Sequence, residues 1–273
     1  MKKSILFVLL FILVIVPAVI GIAVWMKIPS EAEIKGCLIT KMYQVDLCPK
    51  NASYVPLKKI SPYLQKTIVL TEDSAFYDHK GFDWVSIKKN YEENEKAGFY
   101  KRGGSTITQQ LAKNMFLTPE KSLIRKGLEA LITVKLEKVL KKKEILERYL
   151  NVIEFGKDIY GIKAAAQHYF QKSPADLDIV ESAFLAMLLP NPKKYAASYY
   201  KKELTPFASK RIIDIVNNMY QYHRINEAEY NDALLKLETF FKPAQSSEGN
   251  EFFTDDETTL ENLEDTAAED EAN

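Results

Sequence analysis

Along most of this chain the apolar residues recur at helical spacing. Leu128, Leu131, Ile132, Leu136, Val139 and Leu140 follow the i, i+3, i+4 rule and predict a long amphipathic helix starting near Leu123, with charges on its other face. The same pattern predicts helices over Glu144 to Asn151, Ile162 to Phe170, Asp178 to Leu188, Ala208 to Tyr222 and Glu227 to Phe240. Alternating strand patterns are scarce, so the expected fold is mainly α. Between Pro29 and about Pro56 the periodicity fades and turn formers accumulate, which reads as a connector or small lobe. Two breaks stand out, Asn191-Pro192 after one helix and the Gly103-Gly104 pair before another.

The N-terminus carries a different pattern. No residue from Ile5 to Met26 is charged, and a helix of that length is roughly 33 Å long, enough to cross a hydrocarbon core. Lys2 and Lys3 precede the run, so the positive-inside rule leaves the N-terminus in the cytoplasm and everything after Lys27 outside. A cleaved signal peptide is the alternative, but the run exceeds a usual signal core and no clean small-x-small site follows it. In an exported domain Cys37 and Cys48 either form a disulfide or remain two thiols.

Charge separates the rest. The 273 residues hold 37 Lys+Arg and 37 Asp+Glu. Eleven of the acids lie beyond Pro243 with no basic residue among them, so the part before it sets 37 basic residues against 26 acids, a net +11. A basic body suits an anionic partner such as a pyrophosphate, a phospholipid headgroup or nucleic acid. The acidic end, low in apolar content, is expected to be disordered. No CxxC, HExxH or zinc-finger spacing occurs, and histidines at 79, 168 and 223 are too scattered for a histidine-based metal site.

Three segments have the composition of a site. In TEDSAFYDHKGFDW, an apolar run (Ile68, Val69, Leu70) delivers Glu72 and Asp73 beside Phe76, His79 and Asp83. Such a place excludes water and raises a carboxylate pKa, as general acid-base work requires; adjacent acids more often form a solvated turn. In GGSTITQQLAKN, Thr106 and Gln109 form a capping box, and Thr106, Gln110 and Lys113 share one helix face. That helix start, with free N–H groups and a lysine, is a candidate phosphate cradle; an ordinary capped surface helix is the simpler reading. In SLIRKGLEALITVKLEKVLKKKE, Arg125 and Glu129 lie four apart. Pattern alone favours a solvent-exposed ion pair worth about 0.3 to 0.5 kcal/mol over a second carboxylate facing the same cleft as Glu72.

Taken in order, Glu72-Asp73…Phe76…His79…Gly81…Asp83, GGSTITQQLAKN, RKGLEA with Glu129, ILERYLNVIEFG…YGIKAAAQHYF and ESAFLAMLLPNP resemble the glycosyltransferase family of peptidoglycan polymerases over roughly Ile68 to Tyr195. The short chain looks most like the monofunctional branch. Ser86-Ile-Lys-Lys89 and Ser198-Tyr-Tyr-Lys201 fit SxxK, but no KTG follows, so a penicillin-binding transpeptidase domain is not expected.

The resemblance implies a lysozyme-like, two-lobed, mainly α domain over 56–242, preceded by the anchor (1–26) and connector (27–55) and followed by the acidic tail (243–273). It implies polymerisation of lipid II by inverting transfer from a polyprenyl pyrophosphate to a sugar 4-hydroxyl, in the bacterial inner membrane with the domain outside. Glu72 would be the base, and Asp73, Phe76 and His79 would shape its site. Thr106, Gln110, Lys113, Lys121, Arg125 and Lys126 would bind the pyrophosphate. Glu129 would organise these cations or a divalent metal, Mg2+ or Mn2+, with no tightly bound cofactor. At Lys121 relatives often carry arginine, and lysine loses its forked geometry. The YLNVIEFG and AAAQHYF segments look structural. Expected partners are lipid II, the growing glycan strand and membrane lipid, then penicillin-binding transpeptidases and division or elongation proteins, with no nucleic acid. The rival readings are a glycan-cleaving lysozyme-like enzyme and an inactive membrane-anchored scaffold.

Overall fold

The computed structural model describes residues 11–97, 104–120 and 122–241. The chain is mainly helical, and each helix predicted from periodicity is present with ends within a residue or two of the expected ones. After a π-helical turn, Phe11–Ile15, come α1 (Val16–Trp25) and α2 (Glu31–Lys35), then a hairpin of β1 (Leu38–Ile39) and β2 (Asp46–Leu47). The body follows as α3 (Pro62–Glu72), α4 (Trp84–Ala97), α5 (Ile107–Phe116), α6 (Leu123–Val139) and α7 (Lys142–Val152). A second hairpin, β3 (Glu154–Gly156) with β4 (Ile159–Tyr160), leads into α8 (Gly161–Phe170), α9 (Ile179–Leu188), α10 (Pro192–Tyr195), α11 (Ala197–Tyr200), α12 (Pro206–Gln221) and α13 (Glu227–Thr239).

The most apolar helix sits at the centre. Every residue of α9 is buried, as expected for a helix hydrophobic on all faces. Asp178 and Glu181 start it with a reciprocal capping box, each backbone N–H meeting the other's carboxylate at 3.0 Å. Around it pack α3, α12 and α13. A second group forms where α5 packs against both α6 and α7, and α7 against α8. Apolar residues of both groups belong to one continuous core, in which Ile68, Leu111, Leu136, Tyr149 and Phe184 are fully buried. Burying each such side chain contributes about 1.5–3 kcal/mol.

The connector is tied to the second group. A disulfide joins Cys37 and Cys48 across the β1–β2 hairpin, 11 residues apart in sequence, so the alternative of two thiols does not hold. Closing a short loop of that kind stabilises by about 3 kcal/mol through the unfolded chain. The hairpin loop then caps the end of α5, where Lys41 and Met42 donate backbone N–H groups to the carbonyls of Met115 and Asn114 at 3.1 and 3.3 Å.

The expected membrane span, Ile5 to Met26, begins in residues outside the described ones, and the acidic tail from Pro243 lies outside them as well. Among the described residues no helix is long and apolar enough to cross a membrane.

One side chain holds α7 to the loop before α3. Buried Asn151 accepts from Val55 N (2.8 Å) and donates to Val55 O (2.9 Å) and Glu147 O (2.7 Å). Asn151→Ala leaves both Val55 groups unpaired out of water and is expected to cost about 2–4 kcal/mol, read as a loss of denaturation midpoint with unchanged m-value.

Candidate active site

The site begins where α3 stops. Thr71 turns its hydroxyl back onto Thr67 O (2.8 Å), Glu72 is the last helical residue, and Asp73 leaves the helix at φ −160°. A ring of hydrogen bonds joins this point to the start of α5. Asp73 Oδ2 accepts from Ile107 N at 2.9 Å, and Asp73 Oδ1 meets His79 Nε2 at 2.8 Å. Gly81 N donates to His79 Nδ1 at 3.0 Å, so the proton of a neutral imidazole lies on Nε2 and is donated to Asp73. Thr106 Oγ1 donates to Gly81 O at 2.7 Å and completes the circuit beside Ile107. Gly81 sits at φ +96°, and a Cβ there would approach Thr133 Cγ2 to 2.8 Å, so the position requires glycine on both counts.

Glu72 points to the other side of this ring. Its Oε2 accepts from Gln110 Nε2 at 2.9 Å, while Gln110 Oε1 accepts from Tyr149 O–H at 2.9 Å. Tyr149 is fully buried, and burial drives its pKa well up, so the phenol stays a donor and fixes which way the Gln110 amide faces. Among the described residues Glu72 Oε1 has no hydrogen-bond partner. Burial pushes the Glu72 carboxyl above the usual range, against the hydrogen bond from Gln110 and the positive charge of Arg211. Burial raises Asp73 too, against the bonds from His79 and Ile107.

A cationic cluster lies further along α5. Lys113 follows Gln110 by three residues, about 4.5 Å along the axis. Burial lowers its pKa; Glu129 opposes that shift, and Arg125 and Lys126 add to it. Glu129 itself is buried, with Arg125 Nη1 at 3.8 Å and Lys126 Nζ in direct contact. This is no solvent-exposed helical pair, because α6 turns the Glu129 side against α5. Arg125 Nε and Nη1 are buried with no hydrogen-bond partner, donors left for an anion. Glu129 faces two cations, and among the described residues no three His, Cys, Asp or Glu side chains are grouped to hold a metal by themselves.

Several expectations need correction. The start of α5 is not a free anion cradle, since Ile107 N is taken by Asp73 and Gln109 N by Thr106 Oγ1 at 3.2 Å. Thr106 and Gln110 are likewise spent on Gly81, Glu72 and Tyr149. Phe76 is fully buried beneath the site, its ring 4.6 Å from Lys142 Nζ, and offers no surface to a ligand. Asp73 is no solvated turn residue; it is 6% exposed. Lys121 lies outside the described residues. Sequence reading passed over Tyr149, Arg211 and Glu154. For Arg211 a signal existed, a cation on the apolar stripe of Ala208, Ile212 and Ile215; Glu154, half-buried and acting on Lys113, gave none.

A carboxylate with one oxygen free among the described residues, held by Gln110 one helical turn before Lys113, can accept a proton while Lys113, Arg125 and Lys126 stabilise departing negative charge. Comparison with known proteins bears on which reaction that is. A family model described as Transglycosylase matches residues 39–220. Over 168 residues the chain is 51% identical to the biosynthetic peptidoglycan transglycosylase of Dechloromonas aromatica (strain RCB), covering 61% of this chain and 73% of that one. It is 48% identical over 147 residues to the protein of the same name from Azoarcus sp. (strain BH72), covering 54% of this chain and 64% of the relative. Penicillin-Binding Protein 1A from Haemophilus influenzae matches at 29% identity over 47% of this chain and 15% of its own, with a TM-score of 0.28, too low to bear on the fold.

The raised Glu72 carboxyl predicts a stability effect. The folded state keeps this proton to higher pH than the unfolded state, whose carboxyl titrates near 4.5. The folded state is therefore favoured below that pH and loses the advantage as pH rises through the raised value. Glu72→Gln is expected to raise the melting temperature at neutral pH, with the gain over wild type vanishing in acid; calorimetry across pH checks it.

Proposed function

Since the chain belongs to the transglycosylase family, we propose that it polymerises lipid II into glycan strands, with Glu72 as general base and the Lys113 cluster receiving the departing pyrophosphate. The family assignment makes it a peptidoglycan transglycosylase, a glycosyltransferase of cell-wall synthesis. The observation that supports the residue roles is that Gln110, whose amide holds the Glu72 carboxylate, precedes Lys113 by one turn on the same face of α5.

In the proposed step the 4-hydroxyl of the acceptor N-acetylglucosamine attacks C1 of the donor N-acetylmuramic acid. Its O–H bond breaks and the proton passes to Glu72 Oε1, the oxygen without a hydrogen-bond partner among the described residues. The new C1–O4 bond forms on the face opposite the bond to phosphate, which breaks and carries its electron pair onto the pyrophosphate, so α becomes β. Lys113, Arg125 and Lys126 stabilise that charge, and Glu129 holds the latter two in place. The unpartnered Arg125 donors supply hydrogen bonds that strengthen as charge develops. Asp73 and His79 act behind the base, fixing the end of α3 against α5.

The two helix groups meeting at this seam support the two-lobed, lysozyme-like reading of 56–242. The uncharged run from Ile5 to Met26 supports a single-pass anchor in the inner membrane, with the domain outside. Exposed Trp84, Val85, Leu123 and Ile124 at the starts of α4 and α6 support the same membrane address. Lipid II, the glycan strand and membrane lipid are the partners this reading requires; penicillin-binding transpeptidases and division or elongation proteins are the further proteins proposed to work beside it.

The test incubates purified full-length protein in detergent with lipid II, and separately with finished glycan strands. Polymer is expected from the first and no shortening in the second; shortened strands without polymer would assign a glycan-cleaving enzyme instead. Glu72→Gln should lower turnover about a hundredfold or more while leaving lipid II binding nearly unchanged. Wild-type turnover in that variant would remove Glu72 from the base role, and no turnover in the wild type would leave an inactive scaffold.

A further inference from the structure

Glu72 faces a problem that the residues of the expected motifs do not solve. Burial and the adjacent Asp73 charge both favour its protonated form, and a protonated carboxyl cannot act as a base. Among the described residues it accepts a single hydrogen bond, from the neutral Gln110 amide. A nearby cation is needed, and α12 supplies one.

The segment from α12 into α13 runs antiparallel to α3. Tyr63 donates to Glu229 Oε1 at 2.7 Å, Lys66 to Arg224 O at 3.0 Å, and Thr67 Oγ1 to Met219 Sδ at 3.5 Å. As α3 advances, its partners move back along the chain, so the early part of α12 lies beside the end of α3 that bears Glu72. Arg211 falls there, on the face shared by buried Ala208, Ile212 and Ile215. No hydrogen bond or ion pair to its guanidinium exists among the described residues, and its charge acts on Glu72. An arginine on a core-facing stripe without a paired carboxylate is costly unless it serves a charge nearby.

We propose that Arg211 is a positioning residue for the reaction, a cation on the opposite wall from Gln110 that holds Glu72 as the carboxylate which accepts the sugar hydroxyl's proton. This rests on the assignment of Glu72 as base. The groups facing Glu72 are then Gln110 from α5, Asp73 from its own segment, the neutral Tyr149 phenol from α7 through Gln110, and Arg211 from α12. Arg211 is the one positive charge among them.

The experiment compares full-length wild type, Arg211→Met, Arg211→Gln and Arg211→Lys. Each is examined for the pH dependence of kcat/KM with lipid II and for the carboxyl 13C titration of Glu72, assigned by its disappearance in Glu72→Gln. Loss of the cation should raise the Glu72 pKa, so the acidic limb and the carboxyl titration should both move to higher pH by up to about 1 unit in the Met and Gln variants. Arg211→Lys should keep both near wild type, and the neutral variants should regain most of their rate on the alkaline side. A carboxyl titration unmoved in both neutral variants, or a rate loss equal at every pH, overturns the proposal. If Met does not fold, Gln decides. A wild type that makes no polymer sinks the functional reading instead, while the carboxyl titration still judges Arg211.

Discussion

The structure depends on the carboxylate of Asp73. It ends α3, begins the hydrogen bonding of α5 at Ile107 N, and fixes His79, which in turn holds Gly81 against Thr106. Without that circuit the two helix groups would still share an apolar core, because burial is non-directional. Their angle and register at the seam would be loose, and Glu72 would not be aimed at anything. A buried carboxylate is costly to desolvate. Asp73 offsets the cost by accepting a bond at each oxygen, one of them at a helix N-terminus, where the dipole favours negative charge.

The adjacent acids Glu72 and Asp73 thus divide their work through their environments. Asp73 is saturated by donors and acts on backbone. Glu72 accepts one amide N–H and keeps an oxygen free. Three residues beyond that amide, α5 presents Lys113 to the side of α6 bearing Arg125, Lys126 and Glu129. A short helix, stapled at its start by Asp73 and capped at its end by the disulfide-closed hairpin, therefore carries on one rigid element both the amide that holds the proposed base of α3 and the first cation of the proposed anion site. Sites built on such elements hold their geometry better than sites on loops.

The helices were legible because burial imposes a 3.6-residue period that composition alone displays, as Leu128 to Leu140 and Ala208 to Met219 illustrate. The capping box at Thr106 and Gln109 was legible for the same local reason: its partners are three residues apart. What the helix start does was not. Its free N–H groups looked available to phosphate until Asp73, 34 residues earlier, was found to occupy the first of them. Glu129 looked like a surface pair until α5 covered it. Phe76, placed among the site residues by its neighbours in sequence, lies under the site because the chain turns inward there.

The sequence by itself determined the mainly helical class, the basic body with its acidic end and the uncharged N-terminal run. These follow from local composition and spacing. Tertiary structure decided which donors remained for a ligand: it spent Thr106 and Gln110 on the protein, left Arg125 Nε and Nη1 without a hydrogen bond, joined Cys37 to Cys48 and brought Arg211 to Glu72 from 139 positions away in the chain. Hydrogen bonding and desolvation act over a few ångströms of space, and no pattern along the chain encodes which distant residues will share that space.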